Sequence, residues 1–333
     1  MKIYNNISEF TKLPNAVVTI GTFDGVHFGH QKIIAKLKEE AAKIQGETVI
    51  LTFFPHPRMI LHPEDQNLKL ITTMNEKAEL LQKLGIDHLI ITPFTRDFSN
   101  MSAEDYIKNI LVNKIGTKKI VIGYDHRFGK DRNGSLNELQ HFASFYDYQV
   151  EEIPEQDVND ISVSSTKIRK SILDGNVETA ADFLKHPFTL SGKVIRGDQI
   201  GRTLGYPTAN LFIEESYKLI PADGIYAVKV LISTHSSKNK NQEIKDPFQP
   251  AEGVNHSAKI FQGMAYIGHR PTINGMSQNI EVNIFDFSED IYHQTIRLDF
   301  LHFIRHDVKF NSLDELTLQL AKDKVAVLDI LKG

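Results

Sequence analysis

The sequence predicts an α/β fold in two parts: a doubly wound parallel sheet, then an antiparallel β-barrel closed by a terminal helix. Three observations predict it. Up to residue 185, apolar strand-like runs alternate with amphipathic helix-like ones, the rhythm of βαβ units packed on both faces of a parallel sheet. From Phe188 the runs become extended, alternate apolar with polar residues and are separated by Gly/Pro turns, which reads as a barrel or sandwich. A length of 333 residues favours two domains, and the change of rhythm divides them as 1–185 and 186–333.

The elements follow in order. VVTI, from Val17, is a buried parallel strand that stops at Gly21. Ile33, Leu37, Ala41 and Ile44 recur at helical spacing, so an amphipathic helix starts near His27 and His30. A strand is predicted at 48–53 and a helix at 75–85, with Asn75 as N-cap and Gly85 just past its end. A strand at 88–94 precedes a helix at 102–114, which Ser102 opens with Asp105 three residues on. Another strand at 118–123 precedes a helix from Ser135, and a short helix stops at Asp174-Gly175. In the second part the extended runs are FTLSGKVIRG, TANLFI, GIYAVKVLIS, MAYIG, QNIEVNIFDF and QTIRLDFLHFIR. The polar stretch 233–259 reads as a long surface hairpin loop. The closing helix starts at Ser312, with Glu315 completing a capping box, and carries Leu313, Leu316 and Leu320.

Composition narrows the function classes. Hydrophobic residues make up 41% and charged residues 24%, as in a soluble globular protein. A formal charge of −4 gives no general pull towards nucleic acid or an anionic membrane, so neither is an expected partner. No run of apolar residues is long enough to span a bilayer, and Met1-Lys2-Ile3-Tyr4-Asn5 does not start a signal peptide. The chain has no cysteine, which excludes disulfides, thiolate catalysis and Cys-ligated zinc and fits a cytoplasmic protein.

The chemistry is concentrated in a few clusters. His27-Phe28-Gly29-His30 stands where a strand hands over to a helix. A helix N-terminus favours phosphates, two imidazoles add donors for a charged phosphoryl group, and Gly29 lets backbone approach the ligand. Neither G-x-G-x-x-G nor the P-loop pattern is present, which removes dehydrogenase and P-loop kinase readings. In the loop from Gly123 to Gly129, Asp125 and Arg127 suit a ribose hydroxyl and a phosphate; the plainer reading is a polar turn. Ser164, Ser165 and Thr166, with Arg169 one turn later, suit a triphosphate at a helix start, or simply cap that helix. Phe54-Pro55-His56-Pro57 suits a wall for a flat ring, or is loop packing. In the second part, glycines 192, 197, 201 and 205 suit a phosphate-wrapping loop. Thr208 and Asn210, two apart on a strand, offer hard oxygens on one face to Mg²⁺ carried by a nucleotide. Glu281, on a later strand, suits a proton acceptor or a plain surface residue.

These motifs together resemble the bacterial bifunctional FAD synthetases, which join an FMN adenylyltransferase to a riboflavin kinase. GTFDGVHFGH, TFFPHP, IGYDHRFG and SSTKIR resemble the adenylyltransferase motifs; GKVIRGDQIGRTLGYPTANL, Gly224-Ile225-Tyr226, IGHRPT and EVNIFDF resemble the kinase motifs, all in order. The resemblance implies a nucleotidyltransferase-type sheet in the first half. It implies His27 and His30 as catalytic contacts to the ATP phosphates, with Arg169 among the catalytic groups. Gly21, Phe23, Gly29, Gly123, Asp125, Ser164, Ser165 and Thr166 would bind this nucleotide, and Phe54, Pro55, His56, Pro57, Arg127 and Phe128 the flavin. In the kinase, Gly192, Gly197, Arg202 and Pro207 would bind ATP, Thr208 and Asn210 its Mg²⁺, and Arg270 the flavin. Glu281 would be the base that takes the riboflavin 5′-hydroxyl proton. Riboflavin, FMN, ATP and FAD are then the expected partners, and no permanently bound redox cofactor is expected.

Three positions depart from the family pattern, all in the kinase half: Tyr266 where Asn is usual, Asn283 where His is common, and His293 where Gly is frequent. Two alternatives stay open at this level. H-x-G-H also occurs in other nucleotidyltransferases and in class I tRNA synthetases, and the same scaffold could bind or sense flavin without turning it over.

Overall fold

A computed structural model describes residues 1–64, 68–124, 126–130, 133–154, 163–197, 200–233, 258–272 and 275–332. The chain forms two compact units, one covering Met1–Ser165 and one starting at Thr166.

In the first unit the apolar runs pair as a parallel sheet in the order β1-β4-β3-β2-β5-β6. Its strands are β1 (Lys2–Tyr4), β2 (Ala16–Ile20), β3 (Glu47–Phe54), β4 (His88–Pro93), β5 (Thr117–Gly123) and β6 (Gln149–Ile153). Side chains alternate across a strand, and both faces here are apolar. Val18, Ile20, Val49, Leu51, Ile120 and Ile122 pack with Tyr106, Ile107, Leu111 and Leu139. Val17, Ile50, Leu89, Ile91 and Val121 pack with Ile34, Leu37, Ala41, Met74 and Leu81. Helices therefore cover both sides: α1 (Phe28–Lys43) and α2 (Met74–Lys83) on one, the helical run Tyr106–Ile115 and α3 (Leu136–Tyr146) on the other. The doubly wound expectation is met.

Caps explain where helices start. Ser102 and Ser135 are N-caps as expected. Asn75 is not. The cap of α2 is Thr73, whose hydroxyl accepts the Glu76 N–H at 3.2 Å while the Glu76 carboxylate accepts the Thr73 N–H at 2.9 Å. A Thr with Glu three residues on satisfies two end donors at once, whereas Asn75 has Ala78 at that position. Gly85 takes φ +80° just beyond α2, as predicted. The helix beyond Ser102 continues from Ala103–Asp105 into π-type turns over Tyr106–Ile115. The sequence reading did not include β1, β6 or helix Val177–Leu184.

In the second unit α4 (Ser165–Leu173, with Ser165 in the first unit) and α5 (Val177–Leu184) lead into a closed antiparallel barrel, ordered β10-β11-β8-β7-β12-β9. Its strands are β7 (Phe188–Ile195), β8 (Ala209–Phe212), β9 (Gly224–Ser233), β10 (Ala258–Thr272), β11 (Gly275–Ile284) and β12 (Thr295–Arg305). Leu190, Val194, Val228, Val230, Leu298 and Phe300 are at most 1% exposed. Between the barrel and sandwich readings, pairing of β9 with β10 closes the barrel. The predicted loop at 233–259 lies outside the described residues apart from its ends. The terminal helix α6 (Leu313–Lys332) starts where Ser312 Oγ accepts the Glu315 N–H at 3.2 Å. Arg305 anchors it to β12, with Nη2 donating to buried Asp323 at 2.7 Å.

Candidate active sites

Strand order decides where the first unit binds ligands. The chain winds from β2 through β3 to β4 on one side and takes up β5 and β6 on the other. The order reverses between β2 and β5, and in open parallel sheets ligands bind beyond the carboxyl ends of strands at such a switch point. The H-x-G-H segment follows β2, and Gly123 ends β5 beside it. Two predicted clusters thus stand side by side at the switch point.

The turn after β2 is strained in a specific way. Phe23, Gly25 and Val26 have φ of +48°, +80° and +43°, and a β-branched residue there is an outlier. Asp24 holds the turn in place: its carboxylate, 2% exposed, accepts the N–H groups of Ile71 at 3.0 Å and Thr72 at 3.2 Å. Gly25 N–H donates to the Thr72 hydroxyl at 3.2 Å. His27 is the N-cap residue of α1, yet its side chain makes no cap bond. Its ring instead stacks on His30, with centroids 3.7 Å apart and planes at 18°. Phe23 backs His30 at 4.9 Å. Burial, then the electrostatics of His27 and Lys77, hold the His30 pKa well below the ordinary imidazole value, so its neutral form is favoured at pH 7. Its Nδ1 is buried without a hydrogen-bond partner. The first-turn N–H groups of α1 precede any intrahelical acceptor. Paired imidazoles at a helix N-terminus are an arrangement that suits a polyanion.

The other predicted residues of this half are distributed as follows. Gly21 follows β2 directly, where a Cβ would meet the Phe23 ring at 3.2 Å. Gly29 is buried in the first turn of α1. Ser165 Oγ donates to the Asp24 carbonyl at 3.2 Å, which ties it to the same turn; Ser164 is exposed just before it. Thr166 and Arg169 fall in the second unit, exposed and half-buried respectively. Phe54 is half-buried with the α1-side core, and Pro55, His56 and Pro57 lead into the short helix Pro57–Leu61. Phe128 is 8% exposed in the core of the opposite face, against Tyr106. Arg127 is exposed, and Asp125 lies outside the described residues.

In the barrel, Glu281 sits on β11 opposite Asn210 on β8 and Tyr266 on β10. Both oxygens of its carboxylate accept hydrogen bonds, from Thr208 Oγ1 at 2.8 Å and from Asn279 Nδ2 at 2.7 Å. Thr208, Asn210, Glu281, Tyr266, Asn283 and Arg305 line one cavity of about 280 Å³, walled further by Phe310, Leu316 and Leu320. The expectation that Thr208 and Asn210 share a face is therefore met. At Gly197 a Cβ would come within 2.7 Å of Asn210 Oδ1, so a larger residue there would displace that amide from its place. Gly192 is buried in β7 against the Phe212 carbonyl. Asn283 donates to the Pro207 carbonyl at 2.7 Å and also borders a polar cavity of about 340 Å³, lined by Asp286 and Lys324. Arg202 is exposed on the short helix Ile200–Thr203. The side chain of Arg270 lies outside the described residues. Of the three departures, Tyr266 donates to Asp307 at 3.0 Å, and His293 adopts φ +67°, the region that favours glycine.

Sequence reasoning passed over Asp24, Lys77 and Asn279. Asp24 stood inside the quoted motif, and an acidic residue in a phosphate-binding loop is itself the signal of a brace. Asn279 lies two residues before Glu281 and so on the same face. Lys77 carries no local signal, because a lysine within a helical run reads as solvated.

The comparisons with known proteins agree in both halves. The family model described as FAD synthetase matches residues 9–167, and that described as riboflavin kinase matches residues 184–331. A bifunctional riboflavin kinase/FMN adenylyltransferase of Listeria monocytogenes is 35% identical over 317 residues, 95% of this chain and 92% of that one. The protein of the same description from Escherichia coli K12 is 33% identical over 327 residues, 98% and 96% of the two chains. A solved structure described as a macrolide-efflux protein from Streptococcus pneumoniae superposes with a TM-score of 0.82 at 32% identity, covering 98% of both chains. Among the described residues, no helix is long and apolar enough to cross a membrane.

Proposed function

The chain belongs to the family of bifunctional riboflavin kinase/FMN adenylyltransferases, and on that premise we propose how its residues divide the work. It is a transferase with two ATP-dependent activities: phosphorylation of riboflavin to FMN, then adenylylation of FMN to FAD with release of pyrophosphate. The first reaction is assigned to residues 186–333 and the second to residues 1–185.

For adenylyl transfer, the phosphate of FMN attacks the α-phosphorus of ATP in line and pyrophosphate leaves. Such a transfer asks the protein for alignment and charge stabilisation, not for a nucleophile. We assign the pyrophosphate side of ATP to His27, His30 and the N-terminus of α1. Gly21, Phe23, Gly29, Gly123 and Asp125 hold the adenylate. The single observation that carries this reading is the stacked histidine pair at the switch point of the sheet. The roles of Ser164, Ser165, Thr166 and Arg169 towards the phosphates, and of Phe54 to Pro57, Arg127 and Phe128 towards the flavin, rest on the resemblance.

For phosphoryl transfer, Glu281 takes the proton of the riboflavin 5′-hydroxyl as that oxygen attacks the γ-phosphorus. Bonds from Thr208 and Asn279 orient the carboxylate for that proton transfer. Mg²⁺ arrives with ATP as part of the substrate and supplies charge neutralisation on the phosphates. Thr208 and Asn210 offer it hydroxyl and amide oxygens, the hard donors it prefers. Gly192, Gly197, Arg202 and Pro207 bind the nucleotide and Arg270 the flavin. The cysteine-free composition supports a cytoplasmic setting.

The test is a time course of the pure protein with riboflavin, ATP and Mg²⁺, the flavins being separated by chromatography. FMN should rise and then give way to FAD. FAD from supplied FMN but nothing from riboflavin would confine activity to the first domain and charge the departures at Tyr266, Asn283 and His293. Inactivity with both flavins would favour the flavin-binding alternative.

A further inference from the structure

Lys77, on α2, is a cation with little to hold it. It is 2% exposed. Its Nζ donates to the Thr22 carbonyl at 2.7 Å and meets the Met74 thioether at 3.7 Å, so one oxygen acceptor serves an ammonium with three donors. A buried charge held this way is costly, and an apolar residue of similar length would avoid the cost. Burial pushes its pKa down to about 8, against the pull of Asp24. The charged and titratable groups around it are few. Asp24 lies on the turn and is engaged with the Ile71 and Thr72 N–H groups. Glu76, on the same helix, caps Thr73. His30, on α1, feels the positive charge of Lys77, and its Nδ1 is buried without a hydrogen-bond partner. Beneath the turn between β2 and α1 there is thus a buried cation whose one oxygen acceptor is a carbonyl and an imidazole whose Nδ1 has no hydrogen-bond partner.

We propose that Lys77 is a positioning residue for the phosphates of ATP: it fixes the Thr22 carbonyl from beneath and supplies the charge that draws the polyphosphate onto His27 and His30. This rests on the adenylyl-transfer reading of that site. The bound polyanion completes the electrostatic environment of both groups, so nucleotide affinity depends on Lys77 being protonated.

The experiment uses the full chain and initial rates of FAD formation from FMN and ATP, from roughly pH 6 to pH 10, for the wild type, Lys77→Met and Lys77→Arg. Riboflavin phosphorylation by the same preparations and their thermal melts report folding. Lys77→Met should raise KM for ATP about tenfold or more, a lost charge–charge interaction, with KM for FMN little changed; Lys77→Arg should restore most of it. In the wild type kcat/KM for ATP should fall above about pH 8; Lys77→Arg should move that limb to higher pH and Lys77→Met should abolish it. An unchanged KM for ATP in Lys77→Met overturns the proposal. So does a loss that Lys77→Arg repairs together with the melt while the alkaline limb stays put, since Lys77 would then be structural only. Absence of FAD formation by the wild type would fail the reading of the site itself, before any variant is compared, and this inference with it.

Discussion

His30 shows how a single residue's surroundings set its chemistry. Its ring is confined between His27 and Phe23, and burial, then the electrostatics of His27 and Lys77, disfavours its protonation. A phosphate chain laid against it would reverse that balance, so the imidazole is poised to gain a proton when the charge it must stabilise arrives. His30→Ala should lower FAD formation from FMN by roughly 10²–10³-fold, the usual cost of one preorganised donor. Riboflavin phosphorylation by the same protein should be unchanged, and the two rates measured side by side check the expectation. The histidines were legible in the sequence because their spacing and the strand before them lie in one short segment. Lys77 and Asp24 were not, because their partners stand 55 and 47 residues away and only the packing of α2 beside the β2–α1 turn brings them together. His293 was legible as a departure, but its left-handed φ became visible only in the fold.

At the scale of the element, α1 does more than present its N-terminus. Its far end is fastened to the sheet by Glu40, a side chain 3% exposed, which pairs with Lys119 of β5 at 2.6 Å and with Lys43 at 2.7 Å. Hydrogen bonds from Lys119, then Lys43, hold the Glu40 pKa down at about 2. The sign follows from linkage: a carboxyl more acidic in the folded state contributes stability that is complete above its unfolded value and is lost as pH falls through the folded one. The wild type should therefore lose stability between roughly pH 4.5 and about pH 2 in excess of Glu40→Gln, which should show a shallower acid limb in denaturant midpoints measured against pH. Such long helices and their caps were largely readable, as Ser135 and Gly85 show. Asn75 misled because Asn is a good cap in isolation, while Thr73 with Glu76 satisfies two donors together. The strands at the sheet edges were missed because β1 has three residues and β6 carries Gln149, Glu151 and Glu152, too short or too polar to register as core.

At the scale of the whole molecule, two active sites built on unrelated sheets use one flavin in turn. Each should fail alone. Glu281→Gln should cut FMN formation by roughly 10²–10⁴-fold, the range for a lost general base, yet make FAD at the wild-type rate when FMN is supplied; chromatography of the two reactions decides it. The order of domains and the class of each sheet could be read from rhythm, since period and burial are local properties of a segment. Strand order could not. That β1 pairs with β4 and that β2 lies beside β5 are results of long-range pairing, and the switch point between β2 and β5 exists only because of them.

The closed barrel has one more consequence. Every strand in it, from β7 to β12, has a neighbour on both sides, so among the described residues the barrel has no edge strand to recruit another chain. The parallel sheet keeps two such rows, and both are guarded, one by its brevity and the other by its acidic side chains. These are the devices by which natural sheets resist edge-to-edge aggregation. The hazard in this molecule is therefore confined to the period before the barrel closes, when its long, apolar β9 and β10 are still open to strangers.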